Sequence, residues 1–124
     1  MKPFCEVMVR DILPVIRALI AKNLVTKHGF TQQLVAKKMG TTQPAISQYR
    51  SNLRGYKTKL IRKNPEVMNI IENISEKIAR DELSLHDLML DICNLCKLIR
   101  SSGMICELHK EIVPDLDKCN ICMQ

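Results

Sequence analysis

Three residues between Gln32 and Asn52 are spaced in a way that few local structures accommodate. Ala36 lies four positions after Gln32, Gly40 follows four positions later, and Ile46 comes six positions after Gly40. A small residue lets two helices cross closely, and a glycine can take the positive φ that a tight turn requires. An isoleucine can then pack the second helix on the first. The segment predicts a helix-turn-helix arrangement.

Apolar periodicity and capping residues predict an all-α chain. We expect the first helix to kink at Pro14 and to end before Gly29, which is a left-handed cap. We expect the two helices of the helix-turn-helix to be followed by two further helices and a tail that carries cysteines. The predicted helices cover residues 4–27, 32–39, about 42–53, 64–81 and 84–101.

Capping side chains support these helix starts. Thr31 is expected to cap the second helix, and Thr41 or Thr42 the third. Asn64 and Ser84 are expected to cap the last two helices, with a proline or an acid in the first turn behind each cap.

Charge divides the chain into two halves. Residues 1–63 contain 13 lysines and arginines against two acids, a balance of +11, whereas residues 64–124 contain six against 11, a balance of −5. Because lysine and arginine displace the counterions condensed on DNA, a basic half with a helix-turn-helix predicts phosphate contact. We therefore expect residues 1–63 to form a DNA-binding region and residues 64–124 to form an acidic region for dimerisation and cysteine-based sensing.

The basic stretch RGYKTKLIRKN follows the third predicted helix. It has an expected bend at Gly55, and its basic residues are Arg54, Lys57, Lys59, Arg62 and Lys63. It could be a solvated linker or a segment that follows the phosphate backbone, and the preceding helix-turn-helix favours the second interpretation.

The apolar stripes of the last two helices bear on assembly. Both stripes could pack on the N-terminal helices, or a homodimer could cover the surplus apolar surface. One recognition helix contacts few base pairs, whereas two related by a two-fold axis can bind a palindrome. We therefore predict a homodimer. The chain has no long apolar run and no signal-peptide pattern, which predicts a soluble cytoplasmic protein.

Cysteines crowd into the last third of the chain. Apart from Cys5, they form two CxxC pairs and one single residue, and in an intracellular chain such a group is more often a metal site than a disulfide framework. Thiolates are preferred ligands of zinc and of iron–sulfur clusters. The predicted metal ligands are Cys93, Cys96, Cys106, Cys119 and Cys122.

The setting of these cysteines favours an iron–sulfur cluster. Cys93 and Cys96 lie in a helical pattern without the glycine of a zinc knuckle, and a fifth cysteine exceeds what tetrahedral zinc needs. His109 is a further candidate ligand. A structural zinc site and a metal-free thiol/disulfide switch stay open as alternatives.

Residues 31–53 resemble the XRE-type regulators, the lambda-repressor-like and Cro-like helix-turn-helix family. The layout from LPVIRALIAKNLV to ICELHKEIVPDLDKCNIC looks like that of small predicted archaeal transcriptional regulators. The resemblance implies a helical domain that docks its second motif helix in the major groove. It also implies that Gln32 contacts phosphate and braces Gln43, whose amide can bond adenine. The chain departs from the family at Pro44, so base contacts would shift to Thr42, Ser47 and Gln48.

Together these features predict a sequence-specific transcriptional regulator whose DNA binding is tuned by the cysteine-ligated cluster. Gln43, Ser47 and Gln48 are the candidates for base contacts. The candidates for phosphate contacts are Gln32, Thr42, Arg50, Arg54, Lys57 and Lys59.

The sequence also bears on two other classes of function. A thioredoxin-like redox enzyme would require a βαβ pattern, which the sequence lacks. A structural or adaptor protein could use the basic half to bind RNA or another protein. The presence of only two Phe and two Tyr argues against RNA recognition by base stacking. No catalytic constellation is found, and we expect the protein not to be an enzyme.

Overall fold

The computed structural model describes residues 4–51, 53 and 56–102, with side chains described over 6–49, at 53 and over 58–102. In this part of the chain every regular element is helical, which confirms the all-α prediction there. The elements are α1 (Phe4–Val7), a π-helical turn (Met8–Ile12), α2 (Leu13–Thr26), α3 (Gln32–Met39), α4 (Gln43–Ser51), α5 (Tyr56–Arg62), α6 (Pro65–Ala79) and α7 (Leu85–Ser101).

The expectation that no helix forms within residues 54–63 was wrong for the described part of that stretch, whereas its contact with phosphate stays a prediction. Residues 56–62 form the additional helix α5. Thr58 and Ile61 are buried and lie three positions apart, so they face inward from one side of the helix. The pattern is too short to stand out among the surrounding basic residues.

The first helical segment changes from a π-helical to an α-helical conformation at Leu13, next to Pro14, where the sequence predicts a kink. Proline has no backbone N–H, and its ring clashes with the carbonyl four residues earlier. The chain accommodates this by widening the preceding turn, so that the Leu13 N–H donates to the Met8 carbonyl, five residues back. α2 continues from this π-helical turn without a break.

Side chains cap the helices where the sequence predicts. The Thr31 hydroxyl accepts from the Leu34 N–H at 3.2 Å and starts α3. The side-chain Oδ1 atom of Asn64 accepts a hydrogen bond from the Val67 N–H at 3.2 Å. The Ser84 hydroxyl accepts one from the Asp87 N–H at 3.1 Å. Each bond satisfies a backbone donor that the first helical turn leaves without an intrahelical partner.

α2 lies at the centre of the fold and packs against α4 and α6, while α7 packs on α6. A single apolar cluster joins these helices and includes residues from both sides of position 63. The predicted division of the chain at that position stays a prediction. The buried residues of α2 are Val15, Ile16, Ala18, Leu19, Ile20, Ala21 and Leu24.

A helix that crosses a bilayer must be both long and apolar. None of the described helices meets both requirements for crossing a membrane.

Candidate nucleic-acid interface

α3 and α4 are joined by a turn of residues 40–42. Gly40 has φ 68° and ψ 36°, the left-handed conformation that the sequence predicts. The Thr41 N–H donates to the Ala36 carbonyl at 2.9 Å, which closes the end of α3. Ala36 and Ile46 are both buried in the core. The turn therefore holds α4 in a defined position on α3 and α2.

Thr42 starts α4. Its hydroxyl accepts from the Ala45 N–H at 3.3 Å, and its carbonyl accepts from the Ile46 N–H at 3.2 Å. Pro44 lies in the first turn, where a missing backbone donor costs no helical hydrogen bond. A hydroxyl that accepts one bond can still donate another, so Thr42 keeps a donor for an external acceptor.

The outer face of α4 is polar. Gln43, Ser47 and Gln48 are exposed, whereas Ile46 between them in the sequence has no accessible surface. Helical geometry places positions 43 and 47 one above the other, with position 48 beside them. The structure thus brings the three predicted base-contacting residues onto one exposed surface, which we call the α4 face.

Gln32 is the first residue of α3, directly after the Thr31 cap, and its side chain is half-buried. Of the other residues predicted to contact phosphate, Lys59 is exposed on α5. Arg54 lies outside the described residues, as do the side chains of Arg50 and Lys57.

α5 turns its basic side chains outward. Lys59, Arg62 and Lys63 are exposed, while Thr58 and Ile61 are buried. Arg62 and Lys63 belong to the basic stretch that the sequence predicts to follow the phosphate backbone, although only Arg54, Lys57 and Lys59 of that stretch are individual candidates for phosphate contact. The three-residue spacing of Thr58 and Ile61 is the sequence feature from which this helix could have been predicted.

An ion pair links α3 to the turn between α6 and α7. The Lys38 ammonium donates to the Asp81 carboxylate at 2.6 Å, and this bond holds the pKa of the Asp81 carboxyl below its ordinary value. Asp81 itself has a positive φ of 61°. Lys38 is therefore engaged by the acidic half of the chain.

A second contact connects the same elements. A Cβ placed on Gly40 would lie 3.2 Å from the Leu85 Cδ2 atom, so the first residue of α7 covers the turn between α3 and α4. Gly29 has nearly the same backbone angle, φ 69°, but a Cβ there would meet no atom within 4 Å. The two glycines differ mainly in this contact.

We expect Gly29→Ala to lower the free energy of unfolding by about 1–2 kcal/mol, the cost of a left-handed L-residue. Gly40→Ala should cost more, because Leu85 must also move. Urea denaturation would measure both. In a Leu85→Ala background the two glycine substitutions should cost the same, and a difference that persists there would contradict the assigned contact.

Two of the predicted metal ligands lie on α7. Cys93 is exposed and Cys96 is half-buried against the core. Burial raises the pKa of the Cys96 thiol to about 11, with a further contribution from Cys93, while Arg17 acts in the opposite direction. At neutral pH the metal-free Cys96 is therefore a protonated thiol, and a metal ion binding there would displace its proton.

The remaining predicted ligands Cys106, Cys119 and Cys122, and the candidate His109, lie outside the described residues. Within the described residues, no group of three or more histidine, cysteine, aspartate or glutamate side chains is placed to hold a metal ion. The two cysteines on α7 can supply only part of a ligand set, so the metal site stays a prediction.

In the metal-free reduced protein, iodoacetamide should modify Cys93 before Cys96 at pH 8. Cys93 is exposed, and only the thiolate reacts, so the raised pKa of Cys96 keeps its reactive fraction small. The Cys96 rate should continue to rise as the pH passes its ordinary pKa of 9.0 towards about 11. Mass spectrometry of digested samples would follow each site. Equal rates at pH 8 would show that Cys96 is not protected.

Comparison with known proteins found no relatives. No protein-family model, curated protein or solved structure matches the chain. A functional assignment must therefore be built on the residues themselves.

Proposed function

We propose that this chain is a sequence-specific DNA-binding transcriptional regulator of the lambda-repressor-like type, which acts in the cytoplasm as a homodimer. The α4 face carries the proposal. Its three polar side chains are exposed on a helix that is anchored in the core through Ile46. A helix held rigidly in this way can enter the major groove without losing its own packing.

Each residue of the α4 face has a suitable chemistry for base edges. The amides of Gln43 and Gln48 can donate and accept at once, which matches the N6 and N7 atoms of adenine. The Ser47 hydroxyl can donate or accept and so fits more than one base. Pro44 lies on the same exposed side and offers only apolar contact, for which a thymine methyl is a suitable partner.

Basic residues beside the motif support phosphate contact. Lys59 and Arg62 are exposed on α5 and Lys63 directly after it, and Thr42 and Gln32 lie at the starts of the two motif helices. Helix starts carry partial positive charge and backbone donors, which favour phosphate. Arg50, Arg54 and Lys57 are proposed to extend this contact, as their positions in the sequence predict.

The cofactor proposed with this function is an iron–sulfur cluster. On the described part of the chain, Cys93 and Cys96 fit as a pair of sulfur donors, since they lie three positions apart on α7 and one of them is exposed. Cys106, Cys119 and Cys122 would complete the ligand set. The cluster would supply a redox-sensitive charge beside the acidic half of the chain.

A colourless structural zinc site, or a metal-free thiol/disulfide switch, is the alternative for the same cysteines. An anaerobic absorption spectrum separates these cases. A broad band near about 400 nm that bleaches in air indicates a cluster. A colourless protein that contains zinc would exclude the cluster and support the structural zinc site. A colourless protein without metal would support the thiol/disulfide switch.

DNA binding is tested by selecting sites from a random duplex pool and then measuring affinity across salt concentrations. The logarithm of the binding constant should fall with the logarithm of salt, with a slope near about −0.9 per phosphate contacted. Lys59→Ala should reduce that slope by about one. Arg80→Ala, which removes an exposed cation at the end of α6, is the matched control and should leave it unchanged. Failure to enrich any sequence would reject the proposed function.

A further inference from the structure

A cleft lies between α6 and α7, which pack directly on each other. It has a volume of about 230 Å³. Ile74 and Leu95 are buried and form its base together with the half-buried Ile70. We call this feature the α6–α7 cleft. The polar side chains that line it are Asn73, Lys77, Asp91 and Asn94.

One hydrogen-bond acceptor in the α6–α7 cleft is unsatisfied. The Oδ2 atom of Asp91 is buried, and no described residue forms a hydrogen bond with it. The Lys77 ammonium lies 3.8 Å away, which is close enough for an ion pair but too far for a hydrogen bond. Because the large majority of buried side-chain polar atoms have a hydrogen-bond partner, this oxygen is available to a donor from a bound molecule.

The size of the cleft allows more than one bridging water. A water occupies roughly 30 Å³ in the liquid, so the cleft has space for several. Sites for drug-sized ligands begin at about 300 Å³, which is larger than this cleft. The volume therefore fits a small metabolite.

The charges in the cleft disfavour two simple classes of ligand. A metal cation beside Asp91 would be repelled by the Lys77 ammonium, and a free anion beside Lys77 would be repelled by the Asp91 carboxylate. A small zwitterion avoids both problems, since each of its charges can lie beside an opposite charge.

We propose that the α6–α7 cleft binds an α-amino acid with an apolar side chain. The ligand's ammonium donates to the Asp91 Oδ2 atom, and its carboxylate accepts from the Lys77 ammonium. Its side chain packs on the two isoleucines and the leucine at the base of the cleft. This ligand site lies beyond the proposed DNA-binding function and does not depend on it.

The spacing of the two charges suits an α-amino acid. Its ammonium nitrogen and nearer carboxylate oxygen lie about 3 Å apart, as standard bond lengths require. The Asp91 Oδ2 and Lys77 Nζ atoms are separated by a similar distance, 3.8 Å. The two pairs can therefore lie side by side with both charge-assisted hydrogen bonds formed. The exposed amides of Asn73 and Asn94 can donate and accept, and so can bind the ligand's remaining oxygen and N–H groups.

The cleft is separate from the predicted metal ligands on α7. Neither Cys93 nor Cys96 lines it. Helical geometry turns position 93 by about 200° from position 91, so Cys93 projects from a different side of α7 than Asp91. A cluster on the cysteines and an amino acid in the cleft would not compete for the same side chains.

A nuclear magnetic resonance titration of the full chain with L-leucine tests the proposal. The side-chain amide signals of Asn73 and Asn94 should shift and reach saturation. Isocaproate lacks the ammonium of leucine, and isoamylamine lacks its carboxylate. Each should bind at least about 10-fold more weakly, because each loses a hydrogen bond between charged groups.

Substitutions at the two charged residues provide a second test. Asp91→Asn keeps the shape of the side chain but removes its charge, and it should weaken L-leucine binding by about 10-fold or more. Lys77→Gln should have a similar effect. Asp87→Asn is the matched control, since it removes an exposed carboxylate of α7 that does not line the cleft, and it should leave binding unchanged. Thermal melting would establish that each variant is folded.

The absence of saturable shifts with L-leucine, L-isoleucine and L-methionine would show that the cleft holds only water, and would overturn the proposal. Isocaproate that binds as tightly as L-leucine would overturn the role assigned to Asp91, as would unchanged binding by a folded Asp91→Asn variant. The titration contains no DNA, so its failure is distinguished from a failure of the proposed DNA binding.

Discussion

Replacing Ile46 with alanine is expected to lower the free energy of unfolding by about 2–5 kcal/mol. Ile46 has 0% exposed surface and belongs to the core cluster in which α4 packs on α2. Alanine would leave a cavity at this junction that rigid neighbouring helices can fill only in part. Chemical denaturation followed by circular dichroism would measure the loss.

Ile46→Val provides the matched control for this prediction. It removes one methyl group and should cost about 0.5–1.5 kcal/mol. A loss well below 1 kcal/mol for the alanine variant would show that α4 is not anchored as described. Because Ile46 anchors α4 in the core, the alanine variant should also bind DNA more weakly, although none of the proposed contact residues is changed.

Replacing Gln43, Ser47 and Gln48 together with alanine should weaken binding to the selected DNA site by about 100-fold or more. A good bidentate contact contributes about 1–3 kcal/mol of discrimination between bases. Affinity for unrelated DNA should change little, since phosphate contacts supply nearly all non-specific binding. Fluorescence anisotropy at one fixed salt concentration would give both constants.

Asn69→Ala is the control for the triple variant, because it removes an exposed amide on α6, away from the α4 face. It should leave both affinities unchanged. An equal loss on selected and unrelated DNA by a folded triple variant would assign the α4 face to the backbone instead of the bases. Thermal melting would establish that the variant is folded.

Local features of the fold could be predicted from sequence with good accuracy. Thr31, Asn64 and Ser84 cap the helices that they were expected to cap, and Gly40 adopts its expected positive φ. These features depend on residues within about one helical turn of each other, so the information needed to predict them is local.

Features that depend on distant contacts could not be predicted in this way. Thr58 and Ile61 of α5 are buried in the fold, and within the basic stretch their three-residue spacing is only a weak indication of that burial. The contact of Leu85 with the Gly40 turn joins residues 45 positions apart. Tertiary packing decides such cases, and a single sequence does not display it.

The candidate site was predicted in part. The resemblance to XRE-type regulators implied base contacts by Gln43, Ser47 and Gln48, and all three are exposed on α4. Arg62 and Lys63 were expected only as part of a basic stretch, because their exposure beside the buried Thr58 and Ile61 follows from the unpredicted α5. The metal ligands were predicted from residue type and CxxC spacing, and the described residues include only Cys93 and Cys96 of that set.

The shared apolar core has a consequence for synthesis on the ribosome. α2 is buried against α6, whose last residue is Ala79, so α2 is translated well before the helix that covers it. At about 5–20 residues per second, the delay between the ends of α2 and α6 is roughly 3–10 s. During that interval the nascent chain presents the isoleucines and leucines of α2 to its surroundings. The basic half is therefore synthesised first, but α2 cannot complete its packing until α6 of the acidic half has left the ribosome.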